Sequence, residues 1–147
     1  INDNFHPENS HVIPGMMARF HDAKINNLPE VVVWGTGKVR REFLYVDDMA
    51  DAAIFVLKLD KSTFGKNTSS MLSHVNVGTG LDISISDLAL LMKKVVNYNG
   101  KINFDTSKPD GTIQKLLDVS CLKNMGWTYS INLEEGLRKT YEWYNKE

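Results

Sequence analysis

Val12, Ile13, Met16, Met17, Phe20 and Ala23 recur at three- and four-residue steps. That period gives a helix with one apolar stripe, running to about Lys24. Ser10 stands where an N-cap is wanted, and Pro14 is tolerated because it falls in or near the first turn. The β-branched run Val31-Val32-Val33-Trp34 ends at Gly35-Thr36-Gly37-Lys38, and Arg41-Glu42-Phe43-Leu44-Tyr45-Val46 follows. This predicts two short strands joined by a Gly-rich turn. Asp47 or Asp48 then caps a second helix with Met49, Ala52, Ala53, Val56 and Leu59 inward, and the polar stretch from Lys61 to Ser70 reads as a loop.

His74 to Gly78 predicts a strand stopped by Gly78-Thr79-Gly80. Ser84-Ile85-Ser86-Asp87 has the spacing of a capping box before Leu88, Leu91, Met92, Val95 and Val96, so a third helix runs to about Asn97. Lys101 to Phe104 predicts one more strand, and Asp105 to Gly111 a polar loop turning at Pro109-Asp110-Gly111. Asp118 to Met125 predicts a short helix closed by Gly126. Asn132 then caps a last amphipathic helix through Leu133, Leu137, Tyr141 and Tyr144. Residues 1–9, rich in Asn, Asp, His, Pro and Glu, read as loop. With helices among short strands, and no Gly-x-Gly-x-x-Gly opening a helix, the fold class is α+β (mixed α/β) and not a dinucleotide-binding sheet.

The chain has 147 residues, of which 42% are hydrophobic, enough for one ordinary core and one domain, residues 1–147. Seventeen basic and 18 acidic residues leave a net charge of -1. No overall field therefore recruits nucleic acid or an anionic membrane. No apolar run has transmembrane length and no signal peptide is recognisable, so a soluble protein is expected. Cys121, the single cysteine, fits a reducing, cytoplasmic setting. The opening Ile1-Asn2-Asp3, without methionine and in a polar stretch, reads as part of a longer protein.

Candidate chemistry is local. His11 lies at a helix start, where the helix field disfavours imidazolium, so the imidazole suits acid or base work near neutrality. A surface or capping histidine is the plainer alternative. Arg19, eight positions on, lies about 12 Å along the same helix. Trp34 and Arg41 flank the expected turn. Together they suit a base or ribose and a diphosphate, since the guanidinium fork matches phosphate oxygens. Alternatively Trp34 plugs a core edge and Arg41 pairs with Glu42 or an Asp. Asp110 suits sugar hydroxyls or plain turn stabilisation, and Lys115 suits phosphate. Gly78-Thr79-Gly80 is a strand-ending turn and not a phosphate loop. His6, His21, His74 and Cys121 show no metal-ligand spacing, and no metal is expected.

Five segments carry a resemblance: Asp3-Asn4-Phe5-His6-Pro7, Asn9-Ser10-His11-Val12-Ile13-Pro14, Val33-Trp34-Gly35-Thr36-Gly37, Arg41 through Asp48, and Ser107-Lys108-Pro109-Asp110-Gly111. Over essentially the whole chain they resemble the GDP-L-fucose synthase family of extended short-chain dehydrogenases/reductases. The Arg-x-Phe-x-Tyr-Val-x-Asp pattern is shared with many nucleotide-sugar epimerases and dehydratases. Asn-Ser-His-Val-Ile-Pro and Lys-Pro-Asp-Gly point to the narrower family. The resemblance implies a small C-terminal substrate-binding domain with short strands and about five helices, without the N-terminal Rossmann domain. It implies 3,5-epimerisation of GDP-4-keto-6-deoxy-D-mannose and reduction at C4 with NADPH.

His11 matches the family's proton-donating histidine, which also borders the nicotinamide. Arg19, Trp34, Arg41 and Asp110 match positions that hold the GDP-sugar, with Lys115 near enough in sequence to join them. NADP would be bound mainly by the N-terminal domain. The family's Gly-rich cofactor loop, its Ser, Tyr and Lys and its catalytic cysteine have no match in this sequence, and Cys121 lies in the wrong segment. The fragment is expected to be inactive alone and able to stand as a monomer, and the full enzyme to be a homodimer. Alternatives are another NAD(P)-dependent nucleotide-sugar epimerase or dehydratase, or a non-catalytic nucleotide-sugar-binding module.

Overall fold

The structure is a computed structural model that describes residues 3–6 and 9–146. The loop expected over residues 1–9 therefore falls outside the described residues at Ile1, Asn2, Pro7 and Glu8. In chain order the elements are α1 (Val12–Ile25), β1 (Glu30–Trp34), β2 (Arg40–Glu42), α2 (Val46–Lys58), α3 (Lys61–Asn67), β3 (Asp82–Ser84), α4 (Ile85–Val96), β4 (Lys101–Asp105), β5 (Gln114–Lys115), α5 (Ser120–Asn124) and α6 (Leu133–Tyr144). The mixed α+β class stands. The chain divides into two compact units: Ile1–Arg40, Ile83–Gln114 and Glu134–Glu147 make the first, Arg41–Asp82 and Lys115–Leu133 the second. Among the described residues no helix is long and apolar enough to cross a membrane.

In the first unit α1 buries Met16, Met17, Phe20 and Ala23, and α4 buries Leu88, Ala89, Met92, Val95 and Val96. These are the stripes that the helical period marks, and α1 packs on α4. Helix α4 starts as its sequence demands: Ser84 Oγ accepts from Asp87 N at 3.0 Å and donates to Asp87 Oδ2 at 2.6 Å. It stops at Asn97, whose left-handed backbone (φ 58°) closes the last turn. Helix α1 differs from expectation at its start. Its N-cap is His11, not Ser10, and no side chain caps it. Pro14 occupies the third helical position and has no N–H, which removes a donor that a capping oxygen would otherwise take.

The expected hairpin does not form. Strand β1 pairs in parallel with β4, from Glu30 opposite Lys101 to Trp34 opposite Asp105. Strand β2 belongs to a separate sheet ordered β3-β2-β5. Helix α1 leads into β1 and helix α4 into β4, so packing the two helices brings those strands side by side. Gly35 N donates to Asp105 O at 2.9 Å, extending the parallel pairing into the turn. Along β1 burial alternates, with Val31 and Val33 inward and Glu30, Val32 and Trp34 outward.

The second unit is built on Ala52, Leu122 and Trp127, with Leu44, Phe55, Val56, Val75, Val77 and Tyr129 packed against them. Here α2 buries a line shifted from the expected one: Asp48 and Ala52 are buried, while Met49 is 50% exposed and Ala53 is exposed. The cause is polar. Asp48 accepts from Ser130 N (3.0 Å), Ser130 Oγ (2.7 Å) and Ile131 N (2.9 Å), which satisfies a carboxylate taken out of water.

The stretch expected as a loop at Lys61–Ser70 contains α3, raising the count from about five helices to six among the described residues. Asp60 supplies its cap by accepting from Thr63 N at 2.9 Å. Residues 74–78 are not a strand. Val75 and Val77 reach the core on alternate positions, but no neighbouring strand pairs with them. Cys121 is only half-buried in α5, and Leu122 beside it fills the core.

Candidate functional site

Alternation along β1 places Trp34 on the face opposite Val31 and Val33, and the indole is 56% exposed. It does not plug a core edge. Two cations stand by this ring: Arg19 Cζ lies 5.6 Å and Lys108 Nζ 5.4 Å from its centroid. Arg19 comes from the middle of α1, where its Nε donates to Gly15 O at 3.1 Å. Partial burial pulls its pKa below the ordinary guanidinium value, because the charge is held away from water. Neither Arg19 nor Lys108 forms an ion pair with a carboxylate among the described residues.

Lys108 is carried by a fixed loop. Asp105 Oδ1 accepts from Ser107 N (3.0 Å) and Ser107 Oγ (2.6 Å), and Asp105 O accepts from Lys108 N at 3.2 Å. At the far end of the loop, Asp110 Oδ1 accepts from Thr36 N and its Oδ2 from the Thr36 hydroxyl, each at 2.7 Å. These two bonds, the hydroxyl's first, hold the Asp110 carboxyl below its usual pKa, with a smaller pull from Lys38. Gly35, at φ 84°, lies under the same carboxylate, and a Cβ there would collide with Asp110 Oδ1.

His11 is exposed at the N-cap of α1, and its imidazole has no hydrogen-bond partner among the described residues. Arg41 is half-buried in β2 and Lys115 exposed in β5, both in the second unit. Of the six residues singled out by sequence, the first unit thus brings Arg19 and Trp34 together and sets Asp110 at the turn that follows Trp34. Lys108 and Thr36 escaped the sequence reading. The alternation of Glu30-Val31-Val32-Val33-Trp34 was the available sign that Trp34 faces outward. Nothing local indicates that a lysine 74 residues further on stands beside it.

Neither glycine-containing turn is free to cradle the phosphates of a dinucleotide. The Gly35-Thr36 turn is taken by Asp110. At Gly78-Thr79-Gly80, Glu42 Oε1 accepts from Thr79 N (2.6 Å) and Gly80 N (2.7 Å). Carboxylates already occupy the amides that a pyrophosphate would need. No group of three or more potential metal ligands is present among the described residues.

What the first unit does present is an exposed aromatic plane with two cations, suited to a planar or sugar ring carrying phosphate. The chain is 56% identical over 142 residues to GDP-L-fucose synthase of Escherichia coli (strain K12), covering 97% of this chain and 44% of that protein. It spans less than half the length of such curated relatives. A GDP-6-OMe-4-keto-L-xylo-heptose reductase from C. jejuni superposes with a TM-score of 0.87 at 35% identity, over 99% of this chain and 50% of that one. A GDP-L-fucose synthetase from Naegleria fowleri bound to NADP gives 0.82 at 27% identity, over 98% and 43%. The model of the NAD dependent epimerase/dehydratase family matches residues 2–78, more than half of the chain. The chain belongs to the NAD dependent epimerase/dehydratase family.

Proposed function

We propose that this chain is the GDP-sugar-binding portion of a GDP-L-fucose synthase. The whole enzyme would convert GDP-4-keto-6-deoxy-D-mannose to GDP-L-fucose by 3,5-epimerisation and NADPH-dependent reduction at C4. The observation that carries this reading is the solvent-exposed Trp34 with the Arg19 guanidinium beside it, in a chain 56% identical to such an enzyme. Arg19 meets phosphate oxygens, Trp34 covers a ring face, and Asp110 shapes the turn that follows Trp34. Arg41 and Lys115 are assigned to the same ligand by sequence resemblance alone. His11, exposed and without a hydrogen-bond partner among the described residues, donates a proton to a carbon of the enolised sugar during epimerisation.

NADP is the cofactor of the whole enzyme, supported by the NADP-bound relative. Its phosphates are assigned to the N-terminal domain of the whole enzyme, and His11 contributes beside the nicotinamide. On this reading the chain alone is inactive. A cytoplasmic setting and a homodimeric whole enzyme belong to the same reading.

Two measurements test it. Mixed with NADPH and the keto sugar nucleotide, the 147-residue chain should oxidise no NADPH, and turnover refutes its inactivity. Titrated with GDP, UDP and dTDP, it should prefer GDP, and equal affinities refute the assigned base.

A further inference from the structure

We propose that Lys108 is a further diphosphate-binding residue of this site, held beside Trp34 by a latch in which Asp110 grips Thr36. The proposal rests on the nucleotide-sugar reading above and adds to it a residue and a positioning device.

Three observations lead to it. Lys108 Nζ stands 5.4 Å from the Trp34 centroid, close to the 5.6 Å of Arg19 Cζ, so the exposed ring has two cations within reach. Lysine is a strongly hydrated point charge that ordinarily extends into water, and a loop that keeps it over an aromatic ring restricts it to one neighbourhood. Second, the loop that carries Lys108 is pinned at both ends. Asp105 binds Ser107 on one side, and Asp110 binds the Thr36 amide and hydroxyl on the other. Thr36 is two residues from Trp34, so the latch ties the lysine-bearing loop to the strand that carries the ring.

Third, both Asp110 oxygens are engaged by Thr36, and Asp105, whose Oδ1 binds Ser107, attracts the Lys108 charge without forming a salt bridge with it among the described residues. The ammonium therefore stays available to an anion brought by the ligand. A diphosphate offers several charged oxygens, one of which Lys108 takes. Lys108 is a binding residue, while Asp110 acts through Thr36 and is a positioning residue.

Calorimetric titration of the chain with GDP, GMP and guanosine tests this. Lys108→Met should weaken GDP by about tenfold, the worth of one charge-assisted hydrogen bond, with guanosine unchanged. Lys108→Arg should restore most of the loss. Asp110→Ala should weaken GDP by a similar factor in the native chain and cause no further loss in the Lys108→Met background. If the native chain binds GDP and Lys108→Met binds it equally well, the lysine assignment fails alone. If Asp110→Ala adds its full loss to Lys108→Met, Asp110 acts independently and the latch fails. If the native chain binds no GDP, the nucleotide-sugar reading fails and the role of Lys108 with it.

Discussion

Glu42 Oε1 accepts hydrogen bonds from Thr79 N at 2.6 Å and from the Thr79 hydroxyl at 3.3 Å, so a strand carboxylate organises the glycine-rich turn of the second unit. The same oxygen takes Gly80 N, and Glu42 Oε2 takes Leu117 N at 2.8 Å. Gly78 packs so tightly against this carboxylate that a Cβ would collide with it. Replacing Glu42 by alanine strands three backbone donors and should lower stability by about 2 kcal/mol. Urea unfolding checks this: a midpoint shift with unchanged slope is expected, and an unshifted midpoint would show that water replaces the carboxylate without cost.

Trp34 offers the opposite expectation. Because its ring is exposed, Trp34→Ala should change folding stability by less than about 0.5 kcal/mol, where loss of a core tryptophan costs roughly 3–5 kcal/mol. The same substitution should weaken GDP binding about tenfold, as loss of an aromatic contact to the ligand implies. Thermal unfolding and calorimetry on one preparation separate the two. A large fall in melting temperature with intact GDP binding would make the residue structural.

The Asp110 latch carries a pH signature. Thr36 holds the Asp110 carboxyl below its ordinary pKa of 3.8, so the folded chain binds that proton less readily than the unfolded one. The contribution is fully present above the unfolded value and is lost as pH falls through the lower, folded value. The latch should therefore be closed throughout the neutral range and open only in acid. The chemical shift of the Thr36 amide, followed by NMR, should titrate below 3.8. A transition near neutrality would assign the amide another partner.

His11 makes a prediction for the whole enzyme. If its imidazole delivers a proton to carbon, His11→Gln should abolish solvent deuterium incorporation at C3 or C5 while GDP affinity stays within about twofold, since an exposed N-cap side chain supports no packing. Mass spectrometry of the recovered sugar nucleotide reads this directly. Unchanged exchange at both carbons would remove the histidine from the epimerisation.

The sequence alone determined most of the helical framework, α3 excepted. Stripes at three- and four-residue steps located α1 and α4, the Ser84–Asp87 pair began α4, and Asn97 ended it, because a helix is stabilised by residues within a turn or two of one another. A polar loop carrying Asp110 was legible for the same reason, although its turn closes over Asp105–Lys108 and not at Pro109-Asp110-Gly111.

Tertiary structure decided what depends on distant partners. Strand β1 carries no local sign that β4 rather than β2 lies beside it, since either satisfies its backbone. Packing α1 on α4 made the choice. Asp48 is a helix-start residue by position but a buried acceptor for Ser130 and Ile131 by packing, which turned α2 away from its expected face. The ring of Trp34, the charges of Arg19 and Lys108 and the grip of Asp110 on Thr36 meet only once the chain has folded. Asp110 and Thr36 lie 74 residues apart, a separation that no local period or capping rule can bridge.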